Sequence, residues 1–312
     1  MTPTGAYDRA VSPSESSLHP EVQQLFAELD EVGTRPWMWV DHQADHVPDA
    51  VAISDSDETW TWRHLHQEVH RSSARVAVAA GPEAPAARPG ELDAAWITYT
   101  SGSTRVPKGM TTTHGMLTQR AAEGRRSVII PERPVVSGFQ ELSFMGVVKS
   151  VFGGLAAGAD VRLFRPRLES VSAILSTIQQ ERLTFLHGPP QLMRPLWSIC
   201  GPDDPRLATV RQVRLGADRT QPADLRAALR CLPGGCEVVI AYGSGELGSI
   251  AEVHYRRGDT IPAVRVPVGY PEAWVEVMVV DDDGAPVPRG ETGAVELRSH
   301  GYTALPFPPP AG

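Results

Sequence analysis

The chain has 312 residues, 41% hydrophobic and 21% charged, with 37 acidic against 29 basic residues and a formal net charge of -8. An apolar fraction near the globular average excludes wholesale disorder, a fibrous repeat and a disulfide-dense mini-protein, and the length suits one large or two modest domains. The acidic balance argues against a nucleic-acid partner; no apolar run is long enough for a membrane helix and no signal-peptide core is visible, so a cytoplasmic protein is expected.

In chain order, residues 1–19 are polar and without periodicity, which predicts a mobile arm. Val22, Leu25, Phe26, Leu29 and Val32 then recur at helical spacing between Pro20 and Gly33, predicting a first helix. Val51–Ser54 and Thr59–Trp62 flank a polar stretch and read as a short hairpin, followed by a helix over Arg63–Ala80. GPEAPAARPG is a linker by composition, placed near residues 81–93. From Ala95, strand-like runs (AWITYT, VRLF, TFLH, RQVRL, EVVIAY) alternate with helical ones near His114–Glu123, Phe144–Ala157, Glu169–Glu181 and Pro222–Leu229. That rhythm predicts an α/β fold, mainly parallel sheet flanked by helices, over about residues 20–265. Residues 266–305 read as a small antiparallel β-sheet or barrel, with WVEVMVV and GAVELRS joined by DDDG as a hairpin. The Pro-rich tail, residues 306–312, is not expected to pack.

The most informative stretch is Tyr99-Thr100-Ser101-Gly102-Ser103-Thr104-Arg105-Val106-Pro107-Lys108-Gly109. Small residues let backbone N–H groups approach phosphate oxygens, hydroxyls add donors and Lys108 supplies a positive charge, so this loop after a strand reads as an anion cradle. It is not a Walker loop, because G-x-x-x-x-G-K-[ST] is absent. Gly243-Ser244-Gly245-Glu246-Leu247-Gly248 matches G-x-G-x-x-G, a weak pointer to a dinucleotide site. His66 and His70 stand at i, i+4, but HQEVH is not a zincin motif and reads as a solvated face. Cys200, Cys231 and Cys236 lack C-x2-C spacing and read as reduced thiols.

The loop closely resembles YTSGSTGxPKG, the phosphate-binding motif of the adenylate-forming superfamily, and in particular of nonribosomal peptide synthetase adenylation domains. Other segments agree in order: Val47–Ala52 with Thr59–Leu65, Phe144–Ala159, Ala241-Tyr242-Gly243-Ser244-Gly245-Glu246, Val268–Pro271 and Val287–Gly293. The resemblance implies that Thr100, Ser101, Gly102, Ser103, Thr104, Lys108 and Gly243 border the phosphates of ATP, that Tyr242 stacks on adenine and that Glu246 coordinates Mg2+. It gives Lys108 and Glu246 the catalytic roles. It implies a substrate pocket of Met145, Gly146, Lys149, His187, Val213, Leu215, Ala241, Ser249 and Ile250. Taken alone, Tyr242 reads as a core tyrosine and Glu246 as a surface carboxylate.

The sequence also departs from the family. Arg105 replaces a motif glycine, and Ser244-Gly245 replace Pro-Thr. Met145 stands where members that activate α-amino acids carry an aspartate for the ammonium group, so a simple α-amino acid is a poor substrate: its charge would be buried unpaired. Lys149 either faces the pocket, pairing with a carboxylate or phenolate on the ligand, or is solvated on a slightly rotated helix. His187 is either a pocket group or a hydrogen-bonded structural residue. About 40 residues separate Trp60 from Tyr99, fewer than in the family, and no counterpart of the ribose-binding aspartate, the hinge or the C-terminal domain is found. Two readings follow. One is an adenylate-forming enzyme that uses ATP and Mg2+ to activate a small carboxylic acid in specialised metabolite biosynthesis, served by a carrier protein or a separate C-terminal domain. The other is an inactive truncated relative acting as a ligand-binding or scaffold protein; apolar surface left by the internal deletion would favour a homo-oligomer.

Overall fold

The computed structural model describes residues 20–27, 29, 36–69, 71, 90–100, 108–128, 133–139 and 145–307. The expected N-terminal arm, most of the 81–93 linker, residues 308–312 and the loop 101–107 lie outside the described residues.

The chain opens with α1 (Pro20–Ala27) and α2 (Pro36–His46), the latter not foreseen. The expected hairpin forms as β1 (Val51–Ser54) and β2 (Thr59–Thr61), antiparallel, and α3 follows over residues 62–69. Next come β3 (Ala94–Thr100), β4 (Lys108–Thr113), α4 (His114–Val128), β5 (Val135–Gly138), α5 (Met145–Ala156) and β6 (Asp160–Leu163). A regular alternation continues with α6 (Val171–Gln180), β7 (Phe185–Gly188), α7 (Pro190–Ile199), β8 (Gln212–Leu215), α8 (Pro222–Cys231) and β9 (Glu237–Ser244). The remaining strands are β10 (Gly248–Tyr255), β11 (Tyr270–Pro271), β12 (Val275–Val280), β13 (Ala294–Ser299) and β14 (Leu305–Phe307).

Local sequence explains several boundaries. Ser170 caps α6 by accepting from the Ala173 N–H, and Gln221 and Asp224 form a reciprocal capping box on α8, with Pro222 at its first position. Such caps satisfy backbone donors that the helix itself leaves unpaired.

Nine strands form one sheet in the order β11-β10-β9-β8-β7-β5-β6-β1-β2. Pairing is parallel from β9 through β8, β7, β5 and β6 to β1, and antiparallel at both edges. Strand alternation sends one set of side chains to a core with α6, α7 and α8, where Leu186, Val213, Leu215, Val238 and Ile240 pack with Leu175, Trp197 and Leu225. The other face packs against α5, whose Val151 and Leu155 join Ala52, Trp62, Val136, Val161 and Phe185.

Two features differ from the sequence expectation. AWITYT joins a separate antiparallel sheet, β14-β4-β3, instead of the parallel one. The start of the Pro-rich tail does pack: Leu305–Phe307 pairs with β4, and Pro306 is tolerated because β14 is an edge strand. The expected late hairpin is present as β12 and β13, paired from Val275↔Ser299 to Val280↔Ala294. Among the described residues no helix is long and apolar enough to cross a membrane.

Candidate functional site

Two glycines bring the chemistry of α4 and α5 together. A Cβ on Gly124 would lie 2.1 Å from the Lys149 carbonyl oxygen, and one on Gly153 would lie 2.5 Å from the Gly124 Cα. The helices therefore meet backbone to backbone, a distance only glycine permits. One turn away, the ammonium of Lys149 sits 3.2 Å from a carboxylate oxygen of Glu123 and donates to the Ser249 hydroxyl at 3.0 Å. Gln119 donates to the other Glu123 oxygen at 3.1 Å, and its own carbonyl accepts from the Tyr302 N–H at 2.9 Å. Lys149 is thus neither solvated nor free: a buried cation joins α4, α5 and β10.

Arg120, one turn from Glu123, is 6% exposed. Its guanidinium lies where a side chain at position 248 would project; Gly248, at φ 87°, would place a Cβ 2.1 Å from Arg120 Cζ. From the sheet, Arg214 reaches the same face and pairs with Glu252 at 2.7 Å. His187 bonds through Nδ1 to the Ser150 hydroxyl.

Burial pushes the Glu123 carboxyl up, and Lys149 and Arg120 more than offset this, holding it below the usual range. Burial lowers the Lys149 ammonium, with Arg214 adding to it, while Glu123, Glu272 and Glu252 oppose that pull. His187 is pushed down to about 3 by burial, Arg214 and Lys149, so its imidazole is neutral. The Glu252 carboxyl sits at about 2, because Arg214 and Lys149 outweigh its burial.

Glu272, just beyond β11, is pushed up to about 7 by burial, against the pull of Lys149 and Arg214 and with the push of Glu123 and Glu252. The folded protein then retains a proton that the unfolded chain releases from about pH 4.5 upward, so this group's contribution to stability falls as pH rises towards 7. Replacing Glu272 with Gln is expected to remove a loss of about 2–3 kcal/mol between pH 5 and pH 8. Urea unfolding at both pH values checks this; parallel profiles for the two proteins would contradict it. Burial lowers the His254 imidazole and Glu237 and Glu252 more than offset this; that group is common to both proteins.

The nucleotide-type motifs gather near the other small sheet. Thr100 pairs with Lys108, so the loop 101–107 springs from the last rung of the β3–β4 ladder. Alongside it, Phe307 of β14 pairs with Gly109, and the Ala304 N–H donates to the Glu246 carbonyl at 2.8 Å. β14 thereby links the strand leaving the loop to the β9–β10 turn. On β9, Tyr242 is 45% exposed, so the tyrosine is no core residue. The Glu246 side chain is partly exposed and makes no ion pair or hydrogen bond among the described residues. An exposed ring and an open carboxylate on the β9–β10 hairpin, which β14 ties to the strand β4, fit Mg-ATP: a hard cation commonly takes one or two carboxylates and completes its shell with phosphates and water.

The expected pocket residues divide. Lys149, His187 and Ser249 converge, Ala241 lies at the same sheet end, and Met145 and Gly146 begin α5. Ile250 follows Ser249 and is buried with Trp274 and Tyr302. Val213 and Leu215 instead belong to the core under α6–α8, and the intervening Arg214 meets the polar cluster. The side chains of Thr100, Lys108 and Met145, and all of Ser101, Gly102, Ser103 and Thr104, lie outside the described residues. The weak G-x-G-x-x-G match carries no dinucleotide site: residues 243–248 form an antiparallel hairpin between β9 and β10, whereas a dinucleotide fingerprint must open a helix. His66 faces Asp41 at 3.4 Å, and His70 lies outside the described residues. Arg120, Glu123, Arg214, Glu252 and Glu272 were not foreseen; their polar pattern reads as solvated surface until the tertiary structure buries it.

A family model described as AMP-binding enzyme matches residues 72–304. The chain is 30% identical over 224 residues to the L-proline--[L-prolyl-carrier protein] ligase of Streptomyces coelicolor, covering 71% of this chain and 41% of that protein. It is 28% identical to Bacitracin synthase 1 of Bacillus licheniformis over 68% of this chain and 4% of that protein, so it spans less than half the length of either relative. Among solved structures it superposes on the nonribosomal peptide synthetase FmoA3 with TM-score 0.74, 19% identity, 93% of this chain and 40% of that one. On the Klebsiella oxytoca NpsA N-terminal subdomain in complex with 3-hydroxybenzoyl-AMSN the TM-score is 0.64, with 19% identity, 87% of this chain and 88% of that one. These two likenesses establish the fold.

Proposed function

The chain belongs to the AMP-binding enzyme family, and on that premise we propose that it is an adenylate-forming core of the nonribosomal peptide type, acting on a small carboxylic acid other than a simple α-amino acid. The observation that carries the reading is the meeting of Lys149, His187 and Ser249, from α5, β7 and β10, in one buried place. An α-ammonium group finds no free ionised partner among the described carboxylates there: Glu123 faces Lys149, Glu252 faces Arg214, and burial keeps a proton on Glu272 up to about pH 7.

In this reading Thr100, Ser101, Gly102, Ser103 and Thr104 hold the phosphates with backbone N–H groups and hydroxyls, beside Gly243. Lys108 offsets developing charge, Tyr242 stacks on the base and Glu246 holds Mg2+. The acid's carboxylate oxygen attacks the α-phosphorus of ATP and the bond to pyrophosphate breaks. The chain's own part is to orient the acid and exclude water from the bond being made. A carrier protein, the acceptor named for the Streptomyces relative, then takes the acyl group as AMP leaves.

A second reading, binding without turnover, is favoured by one observation: Lys149 is already engaged by Glu123 and Ser249. Acid-dependent exchange of labelled pyrophosphate into ATP separates the two. Exchange with any member of a panel of non-amino acids supports the adenylate-forming reading. Binding of Mg-ATP or an acid with no exchange supports the second.

A further inference from the structure

The buried cluster holds three cations, Arg120, Lys149 and Arg214, against two carboxylates engaged in ion pairs, Glu123 and Glu252. Lys149 and Arg214 each have a carboxylate partner. Arg120 feels the charge of Glu123, yet its side chain is more than nine-tenths buried and its Nη2 has no hydrogen-bond partner among the described residues. Its guanidinium lies over Gly248, the residue before Ser249, whose hydroxyl accepts from Lys149. A buried guanidinium whose Nη2 is unpaired among the described residues, in a cluster with more cations than ion-paired carboxylates, suits recognition of a carboxylate.

Building on the adenylate-forming reading, we propose that the acid this chain takes is a dicarboxylic acid, whose second carboxylate seats against Arg120 between Gly248 and Ser249. One carboxylate would be presented to the nucleotide and the other anchored by α4, so chain length between them sets selectivity. The new anion adds negative charge to a cluster whose carboxylates Glu123 and Glu252 already push on Glu272, which burial raises to about 7, so binding takes up a proton there.

Calorimetry on the full chain tests this with succinate, glutarate and phthalate against butyrate, valerate and benzoate. Each titration is run at pH 7 in two buffers of different ionisation heat. The expected result is that at least one diacid binds tenfold or more tightly than its monoacid counterpart, with proton uptake, and that Arg120→Gln removes the difference. Equal or tighter monoacid binding overturns the dicarboxylic assignment and leaves the adenylate-forming reading standing, as does a preference that survives Arg120→Gln. If Arg120→Gln does not fold, the absence of proton uptake with the preferred diacid overturns the proposal instead. If Mg-ATP binds and no acid of either kind does, the dicarboxylic assignment alone falls. If neither binds, both readings fall.

Discussion

Lys149→Met is expected to destabilise the protein by about 3–5 kcal/mol, because removing one member of a buried ion pair strands the other. The stranded group is Glu123, 4% exposed at its side chain and held to α4 by contacts that cannot turn it to water. On a chain of this size the melting midpoint should fall by roughly 5–8 °C. Adding Glu123→Met should restore most of the loss, since an ion pair replaced as a unit by apolar groups costs little. A double-mutant cycle by urea unfolding measures the coupling directly. A loss within about 0.5 kcal/mol, typical of a surface position, would mean that Lys149 is solvated after all.

Lys108→Ala and Glu246→Ala should each reduce adenylation or pyrophosphate exchange by about 10²–10³-fold, the usual effect of removing one preorganised charge-stabilising group. The two positions come from separate parts of the chain, yet the fold ties their neighbourhoods together. β14 pairs with β4 at Gly109, next to Lys108, and the residue before β14 bonds the Glu246 carbonyl. Both variants should fold as the parent does, because the Glu246 carboxylate has no partner among the described residues and Lys108 stands at the end of the β3–β4 ladder. Loss of the secondary-structure signal together with activity would contradict this assignment of roles, and steady-state exchange assays with circular dichroism check both.

Much of the architecture is legible because periodicity is local. The alternation from VRLF to EVVIAY announces parallel strands and crossover helices, and β12–β13 follows from apolar alternation around DDDG. What is not legible depends on which face of an element meets its neighbour. Val213 and Leu215 flank Arg214, and only the sheet's orientation shows that the apolar pair enters the core while the arginine enters the site. Gln119, Arg120 and Glu123 have the spacing of a solvated stripe on α4; the Gly124–Gly153 contact buries them. The G-x-G-x-x-G run is a weak pointer on its own, and the structure shows why: its glycines serve a tight β9–β10 approach and no helix follows.

The most direct test of the account is calorimetric titration of Mg-ATP into the purified chain, with Lys108→Ala and Glu246→Ala titrated beside it. One-to-one binding in the micromolar range, lost or greatly weakened in both variants, is the result the account predicts. No binding by the unmodified chain, or binding that both variants retain unchanged, would contradict it.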